Sequence, residues 1–148
     1  MIIVFVGHGR LYSVNGLFEA LTQEIEKYVL LNQKISFYCG GIGDFDNLCA
    51  KACLEVKKKS KNCELLLIIP YINSVNKENI LYDGIIYPPI ENVPLKFAIN
   101  YRNRWMIDKA DVIIAYVDHS FGGAYNTVKY AESKKKRVIN LAEIMHDK

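Results

Sequence analysis

The sequence predicts one α/β domain, a doubly wound parallel sheet of about five strands with helices on both faces. Short, continuous apolar runs alternate along the chain with longer segments whose apolar residues recur at helical spacing. This alternation implies parallel strands joined by right-handed crossovers. Glycines follow several of the runs directly, as expected where a strand turns into a helix. A length of 148 residues suits one hydrophobic core, and no repeat or linker divides residues 1–148.

The first half of the chain predicts three strands and two helices. Residues 2–6 are β-branched and aromatic and end at a glycine, a pattern typical of a strand buried on both faces. Residues 14–30 repeat apolar side chains at helical spacing with charged residues between them, which predicts an amphipathic helix. Residues 35–39 form a second strand, 45–59 a second helix and 64–69 (ELLLII) a third strand.

The second half begins with the least regular segment of the chain. Residues 71–94 follow no period and contain turn-forming asparagine, glycine and proline, so we expect a long loop there. Loops of this length inside a compact domain are usually functional. The remaining predicted elements are a helix at 95–109, a strand at 111–117, a helix at 124–136, a strand at 137–141 and a short helical tail at 142–148.

Composition excludes several classes of protein. The apolar fraction is 51% and the charged fraction 24%, which excludes a disordered chain. No apolar run approaches the ~20 residues of a membrane helix, and nothing resembles a signal peptide, so we expect a cytoplasmic protein with no membrane partner. The net charge of +3 comes mainly from lysine-rich runs at 57–61 and 134–137, where solvated helix ends are predicted; this disfavours nucleic acid as a partner.

The four cysteines are expected to be reduced thiols, as in other cytosolic proteins. Cys49 and Cys53 are four residues apart and could share a helix face, as metal ligands sometimes do. Neither a CxxC pair nor a suitably spaced histidine accompanies them, which favours buried structural thiols over a zinc site. We therefore expect no metal and no resident cofactor.

Three glycine-rich turns follow predicted strands. Ligands of open parallel sheets bind at the carboxyl ends of the strands, and glycine lets backbone N–H groups approach a phosphate at a helix N-terminus. We therefore expect a nucleotide or a nucleotide-derived ligand at these turns; the alternative is that the glycines only permit tight turns and close packing. The expected ligand-binding residues are Gly7, His8 and Arg10 in the first turn, Gly40, Gly41, Gly43 and Asp46 in the second, and Gly122, Gly123, Ala124 and Thr127 in or just after the third.

Two arginines lie on the predicted helix that runs directly into the fourth strand. Arg102 and Arg104 could clamp a phosphate or carboxylate with a bidentate guanidinium, or they could be surface arginines paired to acidic residues. Trp105 and Met106 on the same helix are interpreted as core residues. The sequence therefore predicts Arg102 and Arg104 as site residues.

Arg102, Met106 and Ala110-Asp111, followed by a strand and the Gly122-Gly123 turn, form a pattern that resembles a known family. It is the family often mislabelled lysine decarboxylases, which are nucleoside-monophosphate phosphoribohydrolases of the cytokinin-activating LOG type. They belong to the SLOG superfamily of Rossmann-like nucleotide binders, which includes the DprA-like proteins. The chain resembles still more closely the uncharacterised small SLOG proteins of Firmicutes and their phages. The resemblance covers roughly residues 102–127 and implies a Rossmann-like fold, a nucleotide pocket and a homodimer.

The resemblance also implies roles for single residues. Arg102 falls on the family arginine that serves cleavage of the N-glycosidic bond, and Thr127 falls on the threonine of the family's Pro-Gly-Gly-x-Gly-Thr turn. Three positions depart from that turn: Phe121 replaces the proline, Asn126 replaces the third glycine, and Lys129 stands where the family has its catalytic glutamate. The fold and the pocket follow from the resemblance, whereas hydrolysis would need another carboxylate.

Asp44 is the carboxylate that we favour for that role, together with Arg102. Cleavage of an N-glycosidic bond needs a carboxylate to stabilise an oxocarbenium-like centre and an acid to assist the leaving base. Asp46 is also available but is the natural cap of the helix, and both aspartates could simply polarise the helix start. Asp118 and His119 could form an acid–base pair or merely end a strand in water.

Three functions remain open from the sequence. The first is a domain that binds a nucleotide, with Tyr71, Tyr82 and Tyr87 of the long loop either stacking on its base or packing within the loop. The second is an enzyme, either a nucleotide N-glycosidase (phosphoribohydrolase) or a deoxyribosyltransferase. The third, which the modest charge disfavours, is a nucleic-acid-binding module.

Overall fold

A six-stranded sheet, parallel throughout, forms the centre of the described chain. The computed structural model describes residues 1–12, 14–31, 33–72 and 81–146. The strands are β1 (Ile2–Gly7), β2 (Ile35–Cys39), β3 (Cys63–Ile68), β4 (Gly84–Ile86), β5 (Val112–Tyr116) and β6 (Arg137–Asn140). The helices are α1 (Leu17–Val29), α2 (Asp44–Lys57), α3 (Ala98–Lys109), α4 (Gly123–Ser133) and α5 (Leu141–His146). A short 3-10 turn, Leu95–Phe97, leads into α3.

The α/β fold class predicted from the sequence is confirmed, but the number of strands is six and not about five. The additional strand, β4, lies inside the segment 71–94 that was expected to be a loop. It is only three residues long and pairs in parallel with β3 at the edge of the sheet, Leu67 opposite Ile85. Turn-forming residues lie on both sides of this strand, and three residues are too few to show the periodicity of a strand in the sequence. Residues 73–80 of the same segment lie outside the described residues.

Helices cover both faces of the sheet, so the domain has three layers. On one face α1, α2 and α5 pack against alternate strand residues such as Phe5, Phe37 and Ile114. On the other face α3 and α4 pack against the intervening residues, such as Val4 and Ile113. Because both faces are buried, the neighbouring strands β1 and β5 carry apolar residues or glycine at every position, which is why they appear in the sequence as continuous runs.

The strand order is β4-β3-β2-β1-β5-β6, so the direction of winding reverses between β1 and β5. Val4 of β1 lies opposite Tyr38 of β2 on one side and Ile113 of β5 on the other. The carboxyl ends of β1 and β5 therefore border the crevice in which open parallel sheets bind ligands. The first and third glycine-rich turns both start at this crevice.

All four cysteines are free thiols. Cys39 of β2 and Cys49 and Cys53 of α2 are buried in the same core cluster, and Cys63 is half-buried. Burial raises the pKa of the Cys39, Cys49 and Cys53 thiols well above the ordinary value. These thiols act as small apolar core side chains, as the sequence predicted.

None of the helices in the described ranges is long and apolar enough to cross a membrane.

Candidate functional site

A small cavity of about 130 Å³ opens at the carboxyl end of β1, between α2, α3 and α4. We call it the Arg102 cavity. Six residues expected from the sequence line it: Gly7, Asp46, Arg102, Gly123, Ala124 and Thr127. Its remaining lining residues are Phe5, Val6, Ile42, Ile99, Asn103 and Met106. The three glycine-rich turns and the arginine helix singled out in the sequence therefore meet at one place, although they lie far apart along the chain.

Arg102 lies on α3 and is only 3% exposed. Its Nη1 donates hydrogen bonds to the carbonyl oxygens of Gly40 at 3.0 Å and Ile68 at 2.7 Å, and its Nε donates to Oδ1 of Asn103 at 2.8 Å. Nη2 donates a hydrogen bond to none of the described residues. The Arg102 side chain lines the cavity.

The guanidinium lies flat against the backbone of Gly40. A Cβ added at Gly40 would stand 3.1 Å from Cζ, Nη1 and Nη2 of Arg102 alike. Gly40, predicted as a ligand-binding residue, thus supports the arginine and does not line the cavity itself. Burial lowers the pKa of Arg102, and the nearby Asp46 carboxylate opposes that shift.

Asp46, on the first turn of α2, supplies the only carboxylate on the cavity wall formed by the described residues. Its Oδ2 accepts a hydrogen bond from the backbone N–H of Ile42 at 3.2 Å. Burial raises the pKa of Asp46 to about 6, against the lowering effects of Arg102 and of the Ile42 N–H. A carboxyl of this kind is partly protonated near neutral pH and can donate as well as accept a proton.

Asp44, the carboxylate that we favoured from the sequence, lies outside the cavity and is exposed. Its Oδ2 accepts a hydrogen bond from the backbone N–H of Leu11 at 2.9 Å, and its own N–H donates to the carbonyl oxygen of Gly9 at 2.8 Å. These bonds tie the turn after β2 to the turn after β1. Of the two aspartates, Asp46 lines the cavity and Asp44 does not.

The two turns touch through their backbones at Gly43 and Gly9. Gly43 has φ +97°, and a Cβ there would lie 2.6 Å from Cα of Gly9. Only glycine combines this left-handed conformation with so close an approach. Gly43 is thus needed for the turn and does not line the cavity.

The N-terminus of α4 forms the wall opposite the second turn. Gly122, with φ +93°, is the N-cap residue, and no side chain of the described residues caps this end. The first N–H groups of the helix therefore have no side-chain acceptor among the described residues at the point where Gly123 and Ala124 border the cavity. Thr127 is buried on the same wall, and its Oγ1 donates a hydrogen bond to the carbonyl oxygen of Gly123 at 2.8 Å.

His8 and His119 meet at the crevice between β1 and β5. Their rings stack with centroids 3.6 Å apart and planes at 11°. Nε2 of His8 accepts a hydrogen bond from the backbone N–H of Asp118 at 3.1 Å, and Nδ1 of His119 lies 2.7 Å from Oδ1 of Asp118. Burial, then the neighbouring His119, lowers the pKa of His8, while Asp118 raises it.

The ligand atoms of His8, Asp118 and His119 lie within 4.8 Å of one another, close enough to suggest a metal site. Zinc, however, needs each nitrogen at about 2.0–2.1 Å with its lone pair directed at the metal. Nearly parallel stacked rings direct their in-plane lone pairs side by side, not to a common point. The geometry thus matches a hydrogen-bonded ring stack better than a metal centre.

Four further predicted residues lie outside the Arg102 cavity. Arg104 is exposed and places its guanidinium 5.1 Å from the ring centre of Tyr130 on α4. Arg10 is exposed, Gly41 packs against Leu67, and Gly122 adjoins the cavity only through its helix. These residues shape or flank the site without lining it.

Lys129, at the family's glutamate position, lies in a separate space. This α4–α5 groove, of about 840 Å³, runs along the other side of α4, and its lining includes Asp118, His119 and Lys129. Nζ of Lys129 lies 3.3 Å from Oε2 of Glu132, and both side chains are more than half exposed. The family position therefore contributes no carboxylate to the Arg102 cavity.

Sequence reasoning missed Ile99 and Asn103 as cavity residues. Ile99, Arg102, Asn103 and Met106 are spaced i, i+3, i+4 and i+7, so they share one face of α3. Extending the face from Arg102 in both directions would have found them. Met106, expected only as a core residue, is buried and also closes the cavity floor.

The tyrosines of the segment 71–94 lie in three settings. Tyr82 packs against the core cluster beneath α2, and burial raises the pKa of its phenol. The hydroxyl of Tyr71 donates to the carbonyl oxygen of Leu95 at 3.4 Å, and Tyr87 is half-buried. The packing of Tyr82 favours its interpretation as a structural residue over one that stacks on a base.

Fold and cavity together define a Rossmann-like parallel α/β domain with a small recess at the carboxyl end of strand β1. No family profile matches the sequence, and no curated protein matches it. Solved structures, by contrast, share the fold. All of those described next are under 25% identical to this chain and show likeness of fold alone.

Two of these structures are DNA processing protein A. The chain superposes on DprA from Streptococcus pneumoniae with a TM-score of 0.60 and 20% identity, covering 92% of this chain and 48% of that one. For DprA from Helicobacter pylori, described for its single-stranded DNA binding mode, the TM-score is 0.64 and the identity 17%, covering 93% and 63%. The chain thus spans less than two thirds of either DprA.

Two smaller structures are also similar. TM1055, a structural genomics target, gives a TM-score of 0.61 at 14% identity, covering 93% of this chain and 71% of that one. The Moco carrier protein of Chlamydomonas rheinhardtii gives 0.55 at 14%, covering 95% and 75%. These neighbours confirm the Rossmann-like fold that the sequence resemblance implied. The closer likeness to small proteins of Firmicutes and their phages stays a prediction.

Proposed function

We propose that the chain binds the phosphate end of a nucleotide or nucleotide-derived ligand in the Arg102 cavity. The observation that carries this proposal is the meeting, at one recess, of a guanidinium whose Nη2 donates to none of the described residues and a helix N-terminus that no described side chain caps. Both features favour an anion: the first through charge-assisted hydrogen bonds and the second through N–H groups and the helix dipole.

The size of the cavity supports binding of one end of the ligand. Its volume of about 130 Å³ is well below the ~300–1,000 Å³ of pockets that enclose whole small molecules. A phosphate fits inside, and the sugar and base extend outward. Asp46, with a pKa of about 6, can bind as the neutral acid and donate a hydrogen bond to a phosphate oxygen without repelling it.

Gly123→Ala tests this proposal because the added methyl group should interfere with ligand binding but not with folding. A Cβ at Gly123 meets nothing within 4 Å, so we expect the variant to fold normally, and the methyl group is added at a residue that lines the cavity. Isothermal titration calorimetry with nucleoside mono-, di- and triphosphates should show binding to the wild type and at least a tenfold loss in this variant. Gly9→Ala is the matched control: its Cβ also meets nothing within 4 Å, and Gly9 does not line the cavity.

Thermal shift gives an independent measure of the same binding. A ligand present at 100 times its Kd stabilises the fold by ~2.7 kcal/mol, which is a visible rise in Tm for a domain of this size. Equal affinities in the Gly123→Ala and Gly9→Ala proteins would contradict the assignment of the cavity. Absence of binding by any nucleotide would mean that the glycines serve only the turns.

A second candidate function is cleavage or transfer at the N-glycosidic bond of the bound nucleotide. The observation that favours it is Asp46, a carboxyl with a pKa of about 6 in the same cavity as Arg102. Incubation with nucleotides, alone or with a second free base as acceptor, followed by chromatography, detects released or exchanged base. Asp46→Asn should abolish base release while phosphate binding persists, and Asp44→Asn, the adjacent control, should retain it. Release lost only in Asp44→Asn would restore our sequence-based choice.

Nucleic acid and self-association are further proposals about partners. The single-stranded DNA named for the Helicobacter pylori structure stands against our expectation that nucleic acid is disfavoured, so oligonucleotides belong in the binding screen. A steep fall of DNA affinity with salt would support that partner.

A homodimer is proposed from the family resemblance, and the exposed Phe97, Ile99 and Tyr101 on and beside α3 offer apolar surface for it. Light scattering across a dilution series measures the mass directly.

A further inference from the structure

Three aromatic rings stack in a column at the crevice between β1 and β5. His119 lies between His8, at a centroid distance of 3.6 Å, and Phe121, at 4.2 Å with a tilt of 36°. Exposure rises outward along this ring column, from 8% for His8 to 69% for Phe121. The column therefore ends in an aromatic ring that solvent reaches.

Hydrogen bonds fix the two inner rings through Asp118. Its backbone N–H donates to Nε2 of His8, and its carboxylate holds Nδ1 of His119 at 2.7 Å. Since burial lowers the pKa of His8, that ring stays neutral and its stacking on His119 has no charge repulsion to overcome. A platform held in this way loses little conformational entropy when a further ring stacks on it.

The ring column also lies next to the Arg102 cavity along the chain. Phe121 directly precedes Gly122-Gly123, the start of α4, and two residues span at most about 7 Å. Asp118 and His119 also line the α4–α5 groove of about 840 Å³. Phe121, at the end of the column, is 69% exposed and faces solvent. A ligand whose phosphate lies in the Arg102 cavity can therefore place a flat ring against Phe121.

We propose that the exposed ring of Phe121, supported by His119 and His8, is the stacking platform for the base of the bound nucleotide. This inference rests on the proposed function and deepens it: the ligand is a nucleotide with its base attached, and a bare sugar phosphate binds more weakly. Stacking tolerates any base because each presents a π face. The platform therefore favours an aromatic base without selecting one base over another.

The test compares a nucleotide with the same phosphosugar lacking its base. Titration calorimetry measures Kd for adenosine and cytidine monophosphate and for ribose 5-phosphate, with wild type, Phe121→Ala and Phe121→Tyr. Stacking on an aromatic side chain is worth ~1–3 kcal/mol per base, roughly a 5- to 150-fold change in Kd. Phe121→Ala should weaken both nucleotides by that factor and leave ribose 5-phosphate unchanged, whereas Phe121→Tyr should restore nucleotide binding. Leu30→Ala, which removes an exposed apolar side chain just after α1, is the control and should change nothing.

The possible failures are distinguishable. If Phe121→Ala leaves the nucleotide Kd unchanged while Gly123→Ala weakens it, the phosphate site stands and the stacking platform is wrong. The platform is also wrong if Phe121→Ala weakens ribose 5-phosphate as much as the nucleotides, because the residue would then act on the phosphate end. If neither ligand class binds the wild type, the proposed function and this inference fall together.

Discussion

Asp46 is the residue whose protonation state matters most for the cavity. Burial raises its folded-state pKa to about 6, above the ordinary 3.8 of an unfolded chain. The folded protein therefore binds this proton more tightly than the unfolded one, and stability falls as pH rises from about 4 to about 6. Above about pH 6 Asp46 is charged in the folded protein, and burying that charge lowers the free energy of unfolding.

Asp46→Asn should therefore stabilise the protein at neutral pH. The amide keeps an oxygen for the Ile42 N–H and removes the buried charge. We expect Tm to rise by a few degrees at pH 7.5 and the difference from wild type to vanish at pH 4. Differential scanning fluorimetry across pH 4–8 measures this, with the exposed Asp44→Asn as control. A variant less stable than wild type at pH 7.5 would mean that attraction to Arg102 outweighs the burial of Asp46.

The sequence predicted which residue types belong to the site better than it predicted which side chains face the cavity. The sequence placed Asp44 and Asp46 in the same turn, but which of them faces the cavity depends on the rotation of α2 about its axis. His8 and His119 are over a hundred positions apart, and only the pairing of β1 with β5 makes them stack. Arg102 could be predicted as a site residue because its helix leads directly into a parallel strand. A guanidinium on such a helix lies near the end of a strand, whichever way the helix packs against the sheet.

Arg102 also joins three elements: it lies on α3 and bonds the chain at the carboxyl ends of β2 and β3. Arg102→Ala leaves the Gly40 and Ile68 carbonyls without their partner and should destabilise the fold by ~2–5 kcal/mol. Arg104→Ala, two residues away and exposed, should cost under ~1 kcal/mol. Urea denaturation of both variants measures the difference. Comparable losses would mean that the buried bonds of Arg102 contribute little beyond those of a surface arginine.

The elements themselves followed from the sequence wherever they are long or continuously apolar. The strands β1 and β5 are buried apolar runs, and α1 shows an apolar face at helical spacing. β4 could not be predicted because Gly84–Ile86 offers three residues and no period, and its place is fixed by pairing with β3 alone. A short edge strand of this kind depends on its neighbour in space.

At the scale of the whole molecule, the central strand β1 connects the two cores. Phe5 faces the α1–α2–α5 layer, while Val4 and Val6 face the α3–α4 layer, so neither layer can lose its packing without disturbing β1. We expect residues 1–148 to unfold as one unit, consistent with a single domain. Calorimetry should give equal calorimetric and van't Hoff enthalpies. A second, separable transition would mean that the layers are independent.

The rate at which the buried thiols react with an alkylating reagent measures how often the structure around them opens. Alkylating reagents attack the thiolate, and Cys39, Cys49 and Cys53 are held as protonated thiols out of reach of solvent. Each can be modified only when β2 or α2 opens, so the rate of labelling at each position reports how often that opening occurs. Because α2 begins at the Arg102 cavity, a ligand bound there should slow alkylation of Cys49 and Cys53, and mass spectrometry of the alkylated protein measures that rate.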